Sequence, residues 1–310
     1  NEELVFSHQL LKEKLFPKLS DEKYFLVVID NLRYDQWLTI KPTIQELFEI
    51  DEEELYLSIL PTTTQYSRNA LFAGLTPKQI KQKYPNKWVS EEEEGGKNLN
   101  EEFLLNENIK RNHLNVKMSY NKITQLNAGK KLVNQFSNLL QNDFNTIVYN
   151  FVDTLSHVRS EMEVIKELAE DESAYRSITL SWFKHSPLYE LLQKMSDNKC
   201  KVMITTDHGT VRVQSPSKVI GTRSTNSNMR YKVGKNLSYN KKEVFEGHNP
   251  EAIGLPKTGI SSSYIFAKED GYFVYPNNYN QYVNLYKDTF QHGGISLEEM
   301  IIPYVFLSPK

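Results

Sequence analysis

The chain has 310 residues, 39% of them hydrophobic and 25% charged, with a formal charge of −2. That length suffices for one large domain or two around a substantial core, and the near-neutral balance gives no overall pull toward nucleic acid or a membrane. A single cysteine, Cys200, excludes an intramolecular disulfide framework and suits a reducing cytoplasm, and no apolar run is long enough to cross a bilayer.

In chain order, residues 1–20 read as an amphipathic helix, with Leu4, Val5, Leu10, Leu11 and Leu15 at roughly helical spacing. The apolar run "YFLVVID" (24–30) is of strand length and ends on Asp30. Similar runs follow at "LYLSILP" (55–61), "NVKMSY" (115–120), "NTIVYNFVD" (145–153) and "CKVMITTD" (200–207), with helix-length segments at 122–142 and 156–197. Strands buried on both faces that alternate with helices predict an α/β fold, with a mostly parallel central sheet flanked by helices. Further strands are expected at "SSSYIFA" (261–267), "GYFVYP" (271–276) and "MIIPYVFL" (300–307), the last at an edge because it contains Pro303.

Two stretches read as inserted surface loops. "SEEEEGGKNLNEEF" (90–103) is acidic. Residues 208–242 carry eight Lys or Arg and no Asp or Glu.

The polar residues fall in a telling place. Asp30, Thr64, Asp153 and Asp207 each lie at or just beyond the C-terminal end of an apolar run, where open α/β sheets bind ligands. His157 follows Asp153 by four residues, His208 adjoins Asp207, and His292 precedes two glycines. Carboxylates and imidazoles without cysteine suit zinc first, with manganese or iron as alternatives. His8, His113, His185 and His248 lack this setting and read as surface or packing residues. Thr64 in "PTTTQYSRNALFAGLTP" is a candidate nucleophile, and equally a cap for a helix starting near Gln65; the two roles are compatible.

Together these residues resemble the alkaline phosphatase superfamily: Asp30 after a strand, Thr64, Asp153-x-x-x-His157, Asp207-His208-Gly209 and a distal His292. The spacing from Pro61 through Thr64 to "GLTP" is similar to the nucleotide pyrophosphatase/phosphodiesterase branch. "VVIDNLRYDQW", and "TDHG" running into a basic loop, look more like the PglZ-domain branch, and within it the effector domain of PorX-type response regulators of type IX secretion. The resemblance implies an alkaline-phosphatase-like fold over residues 22–310, preceded at 1–21 by the tail of a helical connector. It implies two zinc ions, one held by Asp30, Thr64, Asp207 and His208 and the other by Asp153, His157 and His292, with Thr64 as nucleophile of a phosphodiesterase. It further implies a nucleotide or oligonucleotide substrate, a sensor kinase and secretion-system proteins as partners, a homodimer and no membrane insertion.

Arg223, Arg230 and Lys235 in the basic stretch are candidate phosphate readers, with Tyr231 and Tyr239 available to stack on bases; a solvated loop balancing the acidic insertion is the other reading. Arg33 suits either a phosphate or an ion pair with Asp35. A phosphomonoesterase or phosphotransferase would show the same donor residues. A metal-stabilised module that binds partner proteins is the alternative outside catalysis.

Overall fold

A computed structural model describes residues 4–19, 22–91, 93, 96–150, 152, 171–222, 225–257, 259 and 262–310. The chain forms two units interleaved along its length. One comprises Lys12–Tyr56, Ile109–Asp207 and Ile301–Lys310; the other Asn1–Leu11, Leu57–Asn108 and His208–Met300.

The first unit is built on a six-stranded sheet. Its strands are β1 (Tyr24–Ile29), β2 (Phe48–Leu57), β3 (Met118–Ile123), β4 (Phe144–Tyr149), β5 (Lys201–Thr205) and β6 (Ile301–Pro309), in the spatial order β2-β6-β5-β1-β4-β3. β5, β1, β4 and β3 run parallel, and β6 pairs antiparallel with β5. Every residue of β1 and β4 is buried, which is why β1 is an unbroken apolar run and β4 is apolar but for Asn145 and Thr146, the Asn145 side-chain carbonyl accepting from the Ser119 hydroxyl. This is the mostly parallel α/β sheet that the sequence predicts.

Helices of the same unit have sequence-legible causes. In Pro187–Asp197, Leu188, Leu191, Leu192 and Met195 recur at i, i+3, i+4 and i+7 and are all buried. Pro187 opens that helix and the Ser186 hydroxyl caps it, accepting from the Tyr189 amide at 3.3 Å. Each such leucine contributes roughly 1.5–3 kcal/mol by leaving water. The helix Tyr34–Ile44 buries Trp37, Ile40 and Ile44 by the same rule.

The second unit holds small sheets. Tyr231–Lys235, Ser262–Ala267 and Val244–Gly247 make an antiparallel three-stranded sheet with Ser262–Ala267 central. Gly271–Val274 pairs parallel with Ser215–Lys218, and Phe290–Gln291 antiparallel with Val211–Arg212. Val219, Val244, Ile265 and Phe273 form one apolar cluster, and Val211, Val213, Tyr272 and Val274 another.

Five expectations are corrected. The strand expected at 55–61 runs instead from Phe48 to Leu57, and its acidic residues are tolerated because β2 is an edge strand with one face exposed. β6 is not an edge: it lies between β2 and β5. Pro303 is accommodated there because the pairing with β5 begins at Tyr304, so its missing N–H costs no bond in that ladder. Residues 208–242 are not a surface loop, since they supply paired strands and the buried side chains of Arg230 and Lys232. The acidic stretch ends inside a helix, Glu101–Arg111, whose first residue is buried against Arg68. The N-terminal segment is helical but not one helix, being divided into Ser7–Leu10, Leu11–Leu15 and Phe16–Lys18. Among the described residues no helix is long and apolar enough to cross a membrane.

Candidate metal and nucleophile site

In the first unit the register of the sheet delivers two carboxylates. Val28 of β1 pairs with Thr205 of β5, and Asp30 and Asp207 each stand two residues beyond that pair. Side chains two residues apart on a strand share a face, so Asp30 and Asp207 emerge together, with carboxylate oxygens within 4.8 Å of one another. Both are essentially inaccessible, at 1% and 0% exposure.

Backbone contacts fix them. The Asp30 amide donates to Tyr149 O at 2.9 Å, which continues the β1–β4 ladder past its last strand residue. Asn31 takes a left-handed turn (φ 63°) and its amide donates to Asp207 Oδ1 at 3.3 Å; the Leu32 amide donates to Thr206 Oγ1 at 3.0 Å. The Tyr56 phenol, its pKa pushed up by burial, donates to Thr206 O.

Two buried carboxylates this close repel unless a cation joins them. His208, the residue after Asp207, adds an imidazole, completing a buried Asp-Asp-His donor group. Hard oxygen and imidazole nitrogen are the donors of a catalytic zinc or manganese site, so the residues fit a divalent cation.

In the second unit the nucleophile segment is closely held. From Pro61 to Ala73 every residue is buried except Thr64. A short turn, Thr64–Arg68, precedes the helix Asn69–Ala73. Gly74 ends it at φ 59°, where a Cβ would lie 2.5 Å from Asn108 Oδ1. Arg68 anchors the turn through a fully buried ion pair with Glu101 at 2.6 Å.

The three threonines have different tasks. The Thr62 hydroxyl donates to Gly294 O at 2.9 Å and accepts from the Gly293 amide at 3.0 Å, which locks the His292 loop. Thr63 caps the turn through its backbone carbonyl, which accepts from Tyr66 and Ser67. The Thr64 hydroxyl lies 3.4 Å from His208 Nε2.

The two imidazoles of this unit are oriented alike. His208 Nδ1 lies 3.2 Å from Gly209 O, and His292 Nδ1 lies 3.2 Å from Thr62 O. Donation from Nδ1 to a carbonyl leaves Nε2 as the lone-pair nitrogen, the tautomer a metal ligand needs. The rings stack with centroids 4.4 Å apart. The structure thus gathers Thr64, His208 and His292 in one unit and Asp30 and Asp207 in the other. Asp153, His157 and Arg223 lie outside the described residues.

The basic candidates divide. Arg230 is fully buried and makes a two-pronged pair with Glu299, Nε to Oε1 at 3.1 Å and Nη2 to Oε2 at 2.6 Å, while Nη1 donates to Gly271 O. It is an internal strut, a correction to its expected role as a phosphate reader. Lys235 is exposed at the end of its strand. Arg33 is buried between Asp35 and Glu172, so the ion-pair reading of that residue holds.

Glu299 is the functional residue that sequence reasoning missed. Besides Arg230, its carboxylate accepts from the amides of Gly294 at 2.8 Å and Ser296 at 3.0 Å, and its carbonyl accepts from the Gly209 amide at 3.0 Å. One side chain and its backbone therefore tie the loops of both histidines. The signal was available: Ser296-x-x-Glu299 is a capping box, and the Glu299 amide returns a bond to Ser296 Oγ at 3.2 Å.

The sheet order, the carboxylates at its strand ends and the hydroxyl beside an imidazole define an alkaline-phosphatase-like α/β protein. A family model described as "BREX system PglZ alkaline phosphatase-like domain" matches residues 10–307, and the chain belongs to that family. A comparison with curated proteins gives no match. Among solved structures the chain is similar to murine ectonucleotide pyrophosphatase/phosphodiesterase 5, at a TM-score of 0.52 and 11% identity over 93% of this chain and 88% of that one. An inactive threonine-to-alanine variant of that protein, in complex with AMP, gives a TM-score of 0.54 at 11% identity over the same shares. Phosphonoacetate hydrolase from Sinorhizobium meliloti 1021, in complex with phosphonoformate, gives 0.56 at 10% identity over 92% and 89%. Identities this low carry the fold alone.

Proposed function

We propose that this domain is a metal-dependent phosphodiesterase that hydrolyses nucleotide or oligonucleotide phosphodiesters, with Thr64 as its nucleophile. The observation that carries the reading is Thr64 itself, the one accessible residue between Pro61 and Ala73, with its hydroxyl 3.4 Å from His208 Nε2.

Asp30, Asp207 and His208, with Thr64, would hold one zinc; Asp153, His157 and His292 would hold the second, with manganese as the alternative metal. When bound, two dications against three carboxylates supply about one unit of net positive charge, which attracts phosphate and lowers the pKa of the Thr64 hydroxyl. Thr64 Oγ1 then attacks phosphorus as its proton passes to solvent, and the ester oxygen opposite departs with the electrons of its P–O bond and takes up a proton from water. Water attacks the resulting threonine-linked phosphodiester from the vacated side, breaking its bond to Thr64 Oγ1, which returns the hydroxyl and releases a phosphomonoester. The chain's part is to hold these groups in line, which is most of what phosphoryl transfer requires.

The motifs that resemble PorX-type regulators support a setting as well: the output domain of a two-component response regulator of type IX secretion, cytoplasmic and homodimeric, served by a sensor kinase.

A substrate panel tests the activity. Methyl p-nitrophenyl phosphate and dinucleotides should be hydrolysed, p-nitrophenyl phosphate far less, and elemental analysis should find zinc in the purified protein. Preference for the monoester would overturn the diesterase assignment. Metal-free protein with no turnover after zinc addition would overturn the enzyme reading in favour of an interaction module.

A further inference from the structure

A cavity of about 380 Å³ opens in the unit that carries Thr64 and His292, lined in part by Met229, Lys232, Phe273, Tyr275, Tyr282 and Tyr286. That volume accommodates a ligand about the size of one nucleoside. Its polar centre is Lys232, only 1% exposed. The ammonium donates to Asn226 O at 2.9 Å and lies 4.5 Å from the Tyr275 ring centroid. Among the described residues it has no carboxylate partner. An ammonium has three donors, so one carbonyl and a ring face leave Lys232 with donor capacity for an acceptor in the cavity.

The opposite character comes from Tyr282 and Tyr286, one helical turn apart, whose rings lie parallel within 4° and 6.0 Å between centroids. Tyr282 is 38% exposed, leaving a flat aromatic surface open to a ligand. Exposed Ser227 and Asn277 also line the cavity and add hydrogen-bonding groups.

We infer that this cavity is a nucleobase site: the base lies against the Tyr282–Tyr286 surface and offers a ring carbonyl or nitrogen to Lys232. A bare phosphate would find one lysine, no guanidinium and an aromatic wall. A base satisfies both, because it has a π face and acceptors on its edge. The position suits the reaction too. Asn228, between the lining residues Ser227 and Met229, packs so closely on Gly293 that a Cβ there would lie 2.9 Å from Asn228 Oδ1. Gly293 follows His292, so the base would sit beside the phosphate end of the same unit. Burial draws the Lys232 ammonium down to about 7, so it donates without a large fixed charge at neutral pH. The inference deepens the proposed function and rests on it.

Calorimetric titration of the full chain with AMP, UMP and ribose 5-phosphate tests it. AMP and UMP should bind about tenfold more tightly than ribose 5-phosphate, and Tyr282→Ala and Lys232→Met should each erase about threefold of that advantage while leaving ribose 5-phosphate unchanged. Equal affinity for AMP and ribose 5-phosphate in the unmodified chain overturns the inference, as does AMP binding untouched by Tyr282→Ala, an exposed position where folding is not at stake. Turnover of methyl p-nitrophenyl phosphate separates the two claims. If it proceeds without base discrimination, only the nucleobase site fails; if it is absent with zinc present, the hydrolase reading fails, whatever binds.

Discussion

Glu299 and Arg230 are 69 residues apart in sequence, yet they form a fully buried two-pronged ion pair, with Nη2 and Oε2 2.6 Å apart. The same carboxylate holds the Gly294 amide, and the Glu299 carbonyl holds that of Gly209. Removing one partner of a buried pair leaves an uncompensated charge, typically at a cost of about 3–5 kcal/mol. Arg230→Met should therefore lower the urea-unfolding free energy by an amount of that order. A loss below about 1 kcal/mol would show that the pair is not the strut described here.

Lys232 gives a pH-dependent stability. Its folded-state pKa of about 7 lies below that of a lysine in the unfolded chain, about 10.4. Below pH ~7 both states hold the proton and the folded state bears the full cost of the buried charge; between ~7 and ~10.4 the unfolded state holds more protons, so stability rises with pH. Lys232→Met removes that cost. Its gain in Tm over the unmodified chain should be greatest near pH ~6 and shrink toward pH ~10, as scanning calorimetry would record. A gain independent of pH would contradict the assignment.

The paired carboxylates predict a response to chelation. With metal removed, Asp30 and Asp207 within 4.8 Å repel by roughly 3 kcal/mol at an effective dielectric near 20. EDTA should lower the Tm of the unmodified chain, and Asp207→Asn should lose most of that response while binding less zinc. An unchanged EDTA effect in Asp207→Asn would remove Asp207 from the ligand set.

The helix Pro187–Asp197 tests the local reading. Ser186→Ala should cost about 1 kcal/mol through the lost cap on the Tyr189 amide, without affecting metal content.

The parts of the fold legible in the sequence were those driven by burial on both sides. β1 and β4 are completely buried, so "YFLVVI" and "FNTIVY" reveal themselves as strands with their polar residue just past the end. β2 was misplaced because an edge strand with a wet face admits the acidic residues of "FEIDEEELYL", so that only its apolar end, "LYL", reads as strand. Charge misled in the same way at 208–242, where Arg230 is buried by a carboxylate 69 residues away. No local pattern reports such a partner. Asp30, Thr64, Asp207, His208 and His292 were readable because strand ends and glycine turns have local signatures. Their supports, Thr62 and Glu299, act through hydrogen bonds across 232 and 69 residues, the first to a backbone carbonyl and the second to the Arg230 side chain, and leave only the faint trace of a capping box.

The central claim is that the Thr64 hydroxyl is the nucleophile. Thr64→Val keeps the side chain's shape and removes only the oxygen that lies 3.4 Å from His208 Nε2. Turnover of methyl p-nitrophenyl phosphate by this variant, measured alongside its zinc content, should fall to the background rate with most of the zinc retained. Turnover within a few-fold of the unmodified chain at equal zinc would contradict the account.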